Sequence, residues 1–234
     1  RKGGRPDVSL PFYEQAAAQA RAAASGTALA VVSGTALAAG VSPASDVASP
    51  AASAVPLSSA STQAWADLAW ITGNWANALY MTGDLDTARQ RQLESAEAHK
   101  KAGSPAVNVI LSELEALRID IMQGQVAAAL PQVEERLAQV EAWWKQHRAG
   151  QRVPEAPDAE VLARAFISGL DIANDAHRAR DDWASALRCT DAMLEVRRAL
   201  QRPAEEIGAA RMNRAVELGQ LQRFGEARAE LEDR

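Results

Sequence analysis

Gly83-Asp84-Leu85-Asp86-Thr87-Ala88 joins a turn-forming pair to the opening of an amphipathic helix. Three later stretches repeat its form: Gly124-Gln125-Val126-Ala127-Ala128-Ala129, Asp181-Asp182-Trp183-Ala184-Ser185-Ala186 and Gln222-Arg223-Phe224-Gly225-Glu226-Ala227. Each has one large apolar residue (Leu85, Val126, Trp183, Phe224) and, three positions on, an alanine (Ala88, Ala129, Ala186, Ala227). The starts lie 41, 57 and 41 residues apart, and near-fixed periods of this size mark helical repeat arrays. Residues three and four apart share a helix face. The large residue therefore plugs the bend between two helices, and the alanine admits the neighbouring backbone. A bulkier side chain there costs roughly 1–3 kcal/mol through overpacking.

Working outward, the periodicity predicts helix pairs near 62–82 and 84–102, 105–122 and 126–148, 159–180 and 182–201, and 203–220 and 224–234. Leu68, Ile71, Trp75 and Leu79 form one buried stripe. Val107, Ile110, Leu111, Leu114, Leu117 and Ile121 form another. Pro131 falls near a helix start and, having no N–H, is expected to kink or delay that helix. Gly150, Pro154 and Pro157 mark a loop that accounts for much of the 57-residue gap, and Asp158 caps the helix after it. Before the array, residues 1–24 are read as a loop and a short helix from about Pro11, with Phe12, Ala16, Ala20 and Ala23 as a weak stripe. This helix is expected to be the end of an earlier repeat.

Residues 25–61 differ in character. Ala, Ser, Gly, Thr, Val and Pro dominate, Asp46 is the single charge, and Ser25-Gly26-Thr27-Ala28-Leu29-Ala30 recurs at Ser33–Ala38. The apolar run is shorter than the roughly 20 residues a membrane helix needs and is interrupted by Ser, Thr and Gly. No Gly-Lys-Ser/Thr phosphate loop follows. The segment is read as an insertion or linker. Its low charge leaves room for packed structure.

The four motifs resemble the tetratricopeptide repeat, in its long-helix bacterial form, over about residues 62–234. Gly83–Ala88 is the nearest match to the family's second helix, and Asn74-Trp75-Ala76-Asn77-Ala78-Leu79-Tyr80 is similar to its first. Where the family prefers leucine, eight residues before each turn, this chain has Trp75, Ala116, Ala173 and Arg214. The resemblance implies an all-α solenoid of about four antiparallel helix pairs whose first helices line a concave groove. Groove positions carried over from the family are Asn74, Asn77, Tyr80, Arg118, Asp171, Asp175, Arg178 and Asn213. Asparagine can pair with a peptide backbone through both donor and acceptor. Arginine can hold a carboxylate bidentately. Asp175 and Arg178, three apart, are also placed to pair with each other.

Composition narrows the function. With a formal net charge of -5 and no basic block, nucleic-acid binding is disfavoured, because phosphate neutralisation needs clustered cations. The lone Cys189 excludes an intrachain disulfide and a cysteine-rich zinc site, and is compatible with a reducing, cytoplasmic setting. It is expected to be a small buried residue. His99, His147 and His177 lie in separate helices, so no metal site is expected. Glu134-Glu135 and Glu205-Glu206 read as solvated faces, and no cofactor motif or catalytic constellation is visible. Trp65, Trp70 and Trp75, five apart, do not share one face, and Trp143-Trp144 ends a helix. At least one of these rings is expected at a surface suited to binding.

The expected function is therefore non-enzymatic binding of a protein or peptide, as the sensor or scaffold part of a larger bacterial regulator. One alternative is a fragment of a signalling enzyme, a nucleotide-driven switch or protease, with its active site elsewhere. Another is a structural homo-oligomerisation domain. The absence of an initiating Met and the stop inside a repeat read as a piece of a longer protein.

Overall fold

The computed structural model describes residues 6–25 and 59–232. The insertion assigned to 25–61 therefore lies almost wholly outside the described residues. Those residues form nine helices: α1 (Pro6–Ala24), α2 (Ser59–Thr82), α3 (Leu85–Lys101), α4 (Ala106–Met122), α5 (Val126–Arg148), α6 (Ala159–Arg178), α7 (Trp183–Ala199), α8 (Ala204–Gln220) and α9 (Phe224–Glu232). There is no strand among them, and none is long and apolar enough to cross a membrane. Each helix from α2 onward packs on the next, α1 packs on α2, and α4 also packs on α6.

The helix ends explain this order. Within three residues of the end of each of α2 to α8, at the bend, one residue has positive φ: Gly83 (86°), Gly103 (63°), Gly124 (82°), Gly150 (74°), Asp181 (58°), Gln201 (52°) and Gln222 (60°). Each bend closes with the same backbone bond, running from the residue after the left-handed one to a carbonyl five positions earlier. Asp84 donates to Leu79 (3.1 Å), Gln125 to Asp120 (2.8 Å), Asp182 to His177 (2.9 Å) and Arg223 to Leu218 (2.8 Å). Ser104 to His99, Gln151 to Gln146 and Arg202 to Arg197 follow at 3.0 Å. This is the Schellman ending, which satisfies carbonyls that a helix terminus would otherwise leave bare. The following helices open on Asp side chains or on proline. Asp84, Asp158 and Asp182 accept from first-turn amides of α3, α6 and α7, and Pro105 and Pro203 precede α4 and α8.

Ala88 (0%), Ala129 (1%) and Ala186 (0%) are sealed, as their role at the crossing requires. Leu85 and Val126 pack against the core, and Trp183 is half-buried. The fourth motif differs: Phe224 is 66% exposed and Ala227 is only half-buried, because no helix among the described residues covers the outer face of α9. Two apolar cores result. The first joins Ala17, Leu68, Ala69, Trp75, Leu79, Ala88, Ala98 and Ile119. The second gathers α4 to α7 around Val107, Leu114, Val133, Val140, Leu162, Phe166, Ile172 and Met193. The α4 helix serves both, with Ile119 toward the first core and Val107, Ile110, Leu114, Leu117 and Ile121 toward the second.

Two local expectations are corrected, and the loop expected at 149–157 is found. The inward stripe of α1 is Leu10, Tyr13, Ala17 and Ala20, rather than one through Phe12, which is 71% exposed. The stripe is turned by one position, so that Tyr13 rather than Phe12 reaches the core. Pro131 does not delay α5, which starts at Val126. Its ring and the carbonyl-bearing Ala127 both lie on the exposed side, so water can take the bond that the missing N–H leaves open. Finally, the 149–157 loop is packed. Val153 and Ala156 are buried, and the Val107 N–H donates to the Glu155 carbonyl (3.0 Å), closing the bare start of α4.

One buried polar seam ties α6, α7 and α8. Glu217 is wholly buried, and its Oε1 accepts from Asn174 Nδ2 (2.6 Å) and Thr190 Oγ1 (3.0 Å) while Oε2 has no partner. Asn174 also donates to the Ala186 carbonyl at 2.8 Å, reaching the sealed alanine of the third motif. Burial pushes the Glu217 carboxyl above its ordinary range, against the two hydrogen bonds and Arg178 that favour its charged form.

Two outcomes follow from these features. A left-handed residue other than glycine carries roughly 1–2 kcal/mol of strain, so Gln201→Gly and Gln222→Gly should each raise stability by about 0.5–1 kcal/mol in urea unfolding. Gly83→Ala should lower it by a similar amount, and unchanged midpoints would remove strain as the reason. Because the folded pKa of Glu217 is raised, its contribution is present below the unfolded value near 4.5 and is lost as pH rises through the folded value. Glu217→Gln should therefore flatten that decline and leave the variant more stable than the parent above the window. Parallel pH–stability curves for the two proteins would contradict this.

Candidate functional site

Trp70, Asn74 and Asn77 lie at i, i+4 and i+7 on α2, along one ridge. Opposite them, Gln92, Ser95 and His99 form an equivalent ridge on α3, continuing from the sealed Ala88. Ser112 and Glu115 of α4 form the third side, and Arg164 of α6 stands at one end. Together these residues line a cleft of about 400 Å³. A second cleft of about 270 Å³ adjoins it through the shared Asn77, Gln92 and Glu115, and ends on Tyr80 and Arg118.

The floor is held by short contacts. Ser95 Oγ donates to the Ala69 carbonyl (2.8 Å) and lies 3.2 Å from Ser112 Oγ. Gly73 makes this approach possible, since a Cβ there would stand 3.3 Å from Ser95 Oγ. Gln92 Nε2 donates to Asn77 Oδ1 (3.3 Å), and Asn74 Nδ2 to the Trp70 carbonyl (2.8 Å). Trp70 is 68% exposed at the rim. Trp75, five residues on, is buried under the Arg91 guanidinium at 4.6 Å, and Trp65 carries Lys101 at 4.3 Å. The three tryptophans thus divide as their spacing implied.

The charged groups at the inner end satisfy one another. Arg118 Nη1 donates to Asp171 (2.9 Å), Nε to Glu115 (3.1 Å) and Nη2 to Ser168 Oγ (3.2 Å). Ser168 Oγ in turn donates to Glu115 Oε1 (2.6 Å). This clasp joins α4 to α6. Of the eight groove positions carried over from the family, Asn74, Asn77, Tyr80 and Arg118 share the adjoining clefts, and Asp171 reaches them through Arg118. Asp175 is exposed on α6, and no ion pair links it to Arg178. Arg178 instead stands 5.9 Å over the Trp183 ring, and Asn213 lies apart on α8. Gln92, Ser95, Ser112, Glu115 and Arg164 were not anticipated. The first two were findable, because they continue the ridge that begins at Ala88.

Other sites of potential chemistry are occupied by structure. Cys189 is buried, and burial, followed by the nearby Glu217 carboxylate, raises its thiol to about 11. His99 Nδ1 contacts Ser104 Oγ at 3.0 Å, and burial lowers its pKa. His177 lies between Asp182 (3.4 Å) and Glu134 (3.7 Å). No group of three or more His, Cys, Asp or Glu that could hold a metal occurs among the described residues. At the far end, Met212, Val216, Phe224 and Leu231 are exposed on α8 and α9.

No protein-family description, curated protein or solved structure matches this chain.

Arg118→Ala would leave Glu115 and Asp171 facing each other without their cation, so a loss of about 1–3 kcal/mol is expected in urea unfolding. A double-mutant cycle with Asp171→Asn should give a coupling of roughly 0.5–1 kcal/mol, since Asp171 is partly solvated. Strict additivity would mean that the clasp adds nothing to stability.

Proposed function

We propose that this chain is a non-enzymatic, tetratricopeptide-like solenoid that binds an extended segment of a partner protein in the cleft between α2, α3 and α4. The observation that carries the reading is the lining itself: three carboxamides, Asn74, Asn77 and Gln92, converge on an open cleft beside the exposed Trp70 ring. Carboxamides donate and accept, which suits a main chain whose N–H and C=O groups alternate in direction. An exposed tryptophan next to such a row supplies the apolar anchor that peptide sites commonly need. The pairwise packing of helices and the seven like bends support a solenoid reading, and the family resemblance supports the choice of the first-helix face. On this reading the chain is the sensor or scaffold part of a larger regulator, and chemistry, where the parent protein has any, belongs to other domains.

Panning the whole 234-residue chain against displayed random twelve-residue peptides tests this. Enriched sequences should bind in solution, and the double variant Asn74→Ala/Asn77→Ala should weaken them about tenfold, equivalent to about 1.4 kcal/mol. No enrichment, or peptides indifferent to the double variant, would overturn the reading.

A further inference from the structure

Besides the Tyr80 phenol, four ionisable side chains line the adjoining clefts: His99, Glu115, Arg118 and Arg164. Three of them are already engaged. Glu115 accepts from Arg118 and Ser168 through its two oxygens, and Arg118 is shared between Glu115, Asp171 and Ser168. His99 contacts Ser104, and its burial favours the neutral ring. Arg164 differs from the others. It is exposed on α6, lines one end of the cleft, and has no ion pair or hydrogen bond among the described residues. A guanidinium presents five donors in a planar fork that fits a carboxylate. The net charge of the chain is -5, so a free cation in this cleft runs against the charge of the whole.

The geometry points to a partner segment that is both acidic and aromatic: an Asp or Glu side chain pairs with Arg164, and an aromatic or long apolar side chain stacks on Trp70. The inference rests on the peptide-binding reading of the cleft and adds the chemistry of the peptide. Main-chain contacts with Asn74, Asn77 and Gln92 are common to any sequence, so selectivity falls to the two rim groups that no described residue occupies. A charged contact at an exposed rim sets association rate and salt dependence more than it sets total affinity. A single cation is too little for a nucleic-acid backbone, whose binding needs several phosphates neutralised together.

The test uses three synthetic pools of twelve-residue peptides. All have one fixed Phe, and the remaining positions are enriched in Glu, in Gln or in Lys. Binding to the whole chain is read by fluorescence anisotropy at low salt and at 0.5 M salt. The Glu pool is expected to bind at least fivefold tighter than the Gln pool, with the Lys pool weakest and the difference shrinking in high salt. Arg164→Gln should erase the Glu-over-Gln preference. Trp70→Ala should weaken all three pools together. Both side chains are exposed, and matching thermal melts confirm that the variants fold. Equal binding of the Glu and Gln pools, or a preference that survives Arg164→Gln, overturns the inference while the peptide reading stands. Failure of all three pools overturns both. Tighter binding of a twelve-nucleotide oligo-dT than of the Glu pool assigns the cleft to single-stranded nucleic acid and also overturns it.

Discussion

Close approach of helix backbones at Ala88, Ala129 and Ala186 is the constraint on which the rest of the structure depends. Each of these methyl groups is almost fully sealed, and each sits one turn into a helix that has just reversed direction. A small residue at the crossing lets dispersion contacts accumulate along both helices, and interiors packed to crystal-like density tolerate little extra volume. The bend sets the angle of return and the alanine sets the distance, so the larger apolar residues meet across the seam. Each helix from α2 onward meets the next along such a seam, and α4 also meets α6.

Polar side chains enter this framework where helices from different pairs meet. The Arg89–Asp120 pair binds α3 to α4 through two hydrogen bonds of 2.6 and 3.1 Å, with Asp120 buried. The Arg118 clasp binds α4 to α6, and the Asn174–Thr190–Glu217 seam joins α6, α7 and α8. Ser95 and Ser112 meet between α3 and α4 at the floor of the cleft. A polar group placed in such a seam is expensive to leave unmatched, so it favours one register of neighbouring helices over its alternatives. The same seams shape the cleft, because their side chains are turned toward each other and so leave Asn74, Asn77, Trp70 and Arg164 facing solvent.

Much of this was legible in the chain. From α2 onward helix boundaries followed from the turn residues and agree to within a few positions, because glycine, proline and Asp caps act locally, whereas α1 starts at Pro6 rather than near Pro11. The α2 and α4 stripes were equally plain, since large aliphatic residues recur there at helical spacing. Other features required the neighbours. Glu217 reads as a surface residue in sequence, and only the packing of α6 and α7 removes it from water. Arg214 breaks the family's apolar preference, yet it bridges Asp191 (2.6 Å) and Glu230 (2.7 Å), so its charged head finds partners on α7 and α9. Arg118 looked free for a ligand, and its commitment to Glu115 and Asp171 depends on how α4 lies against α6, which no local pattern encodes. Phe12 and Phe224 carried apolar weight in the pattern, and no surface among the described residues covers them.

The seven like bends have a further implication. Since each of the seven bends closes with the same main-chain bond, whatever residue occupies it, a stretch running from one bend to another is interchangeable at its borders. Duplicating or excising such a stretch joins a familiar ending to a familiar beginning. A helical chain with such bends can therefore grow or shorten by whole cassettes during recombination, with the new seam between cassettes as the main thing left for selection to refine.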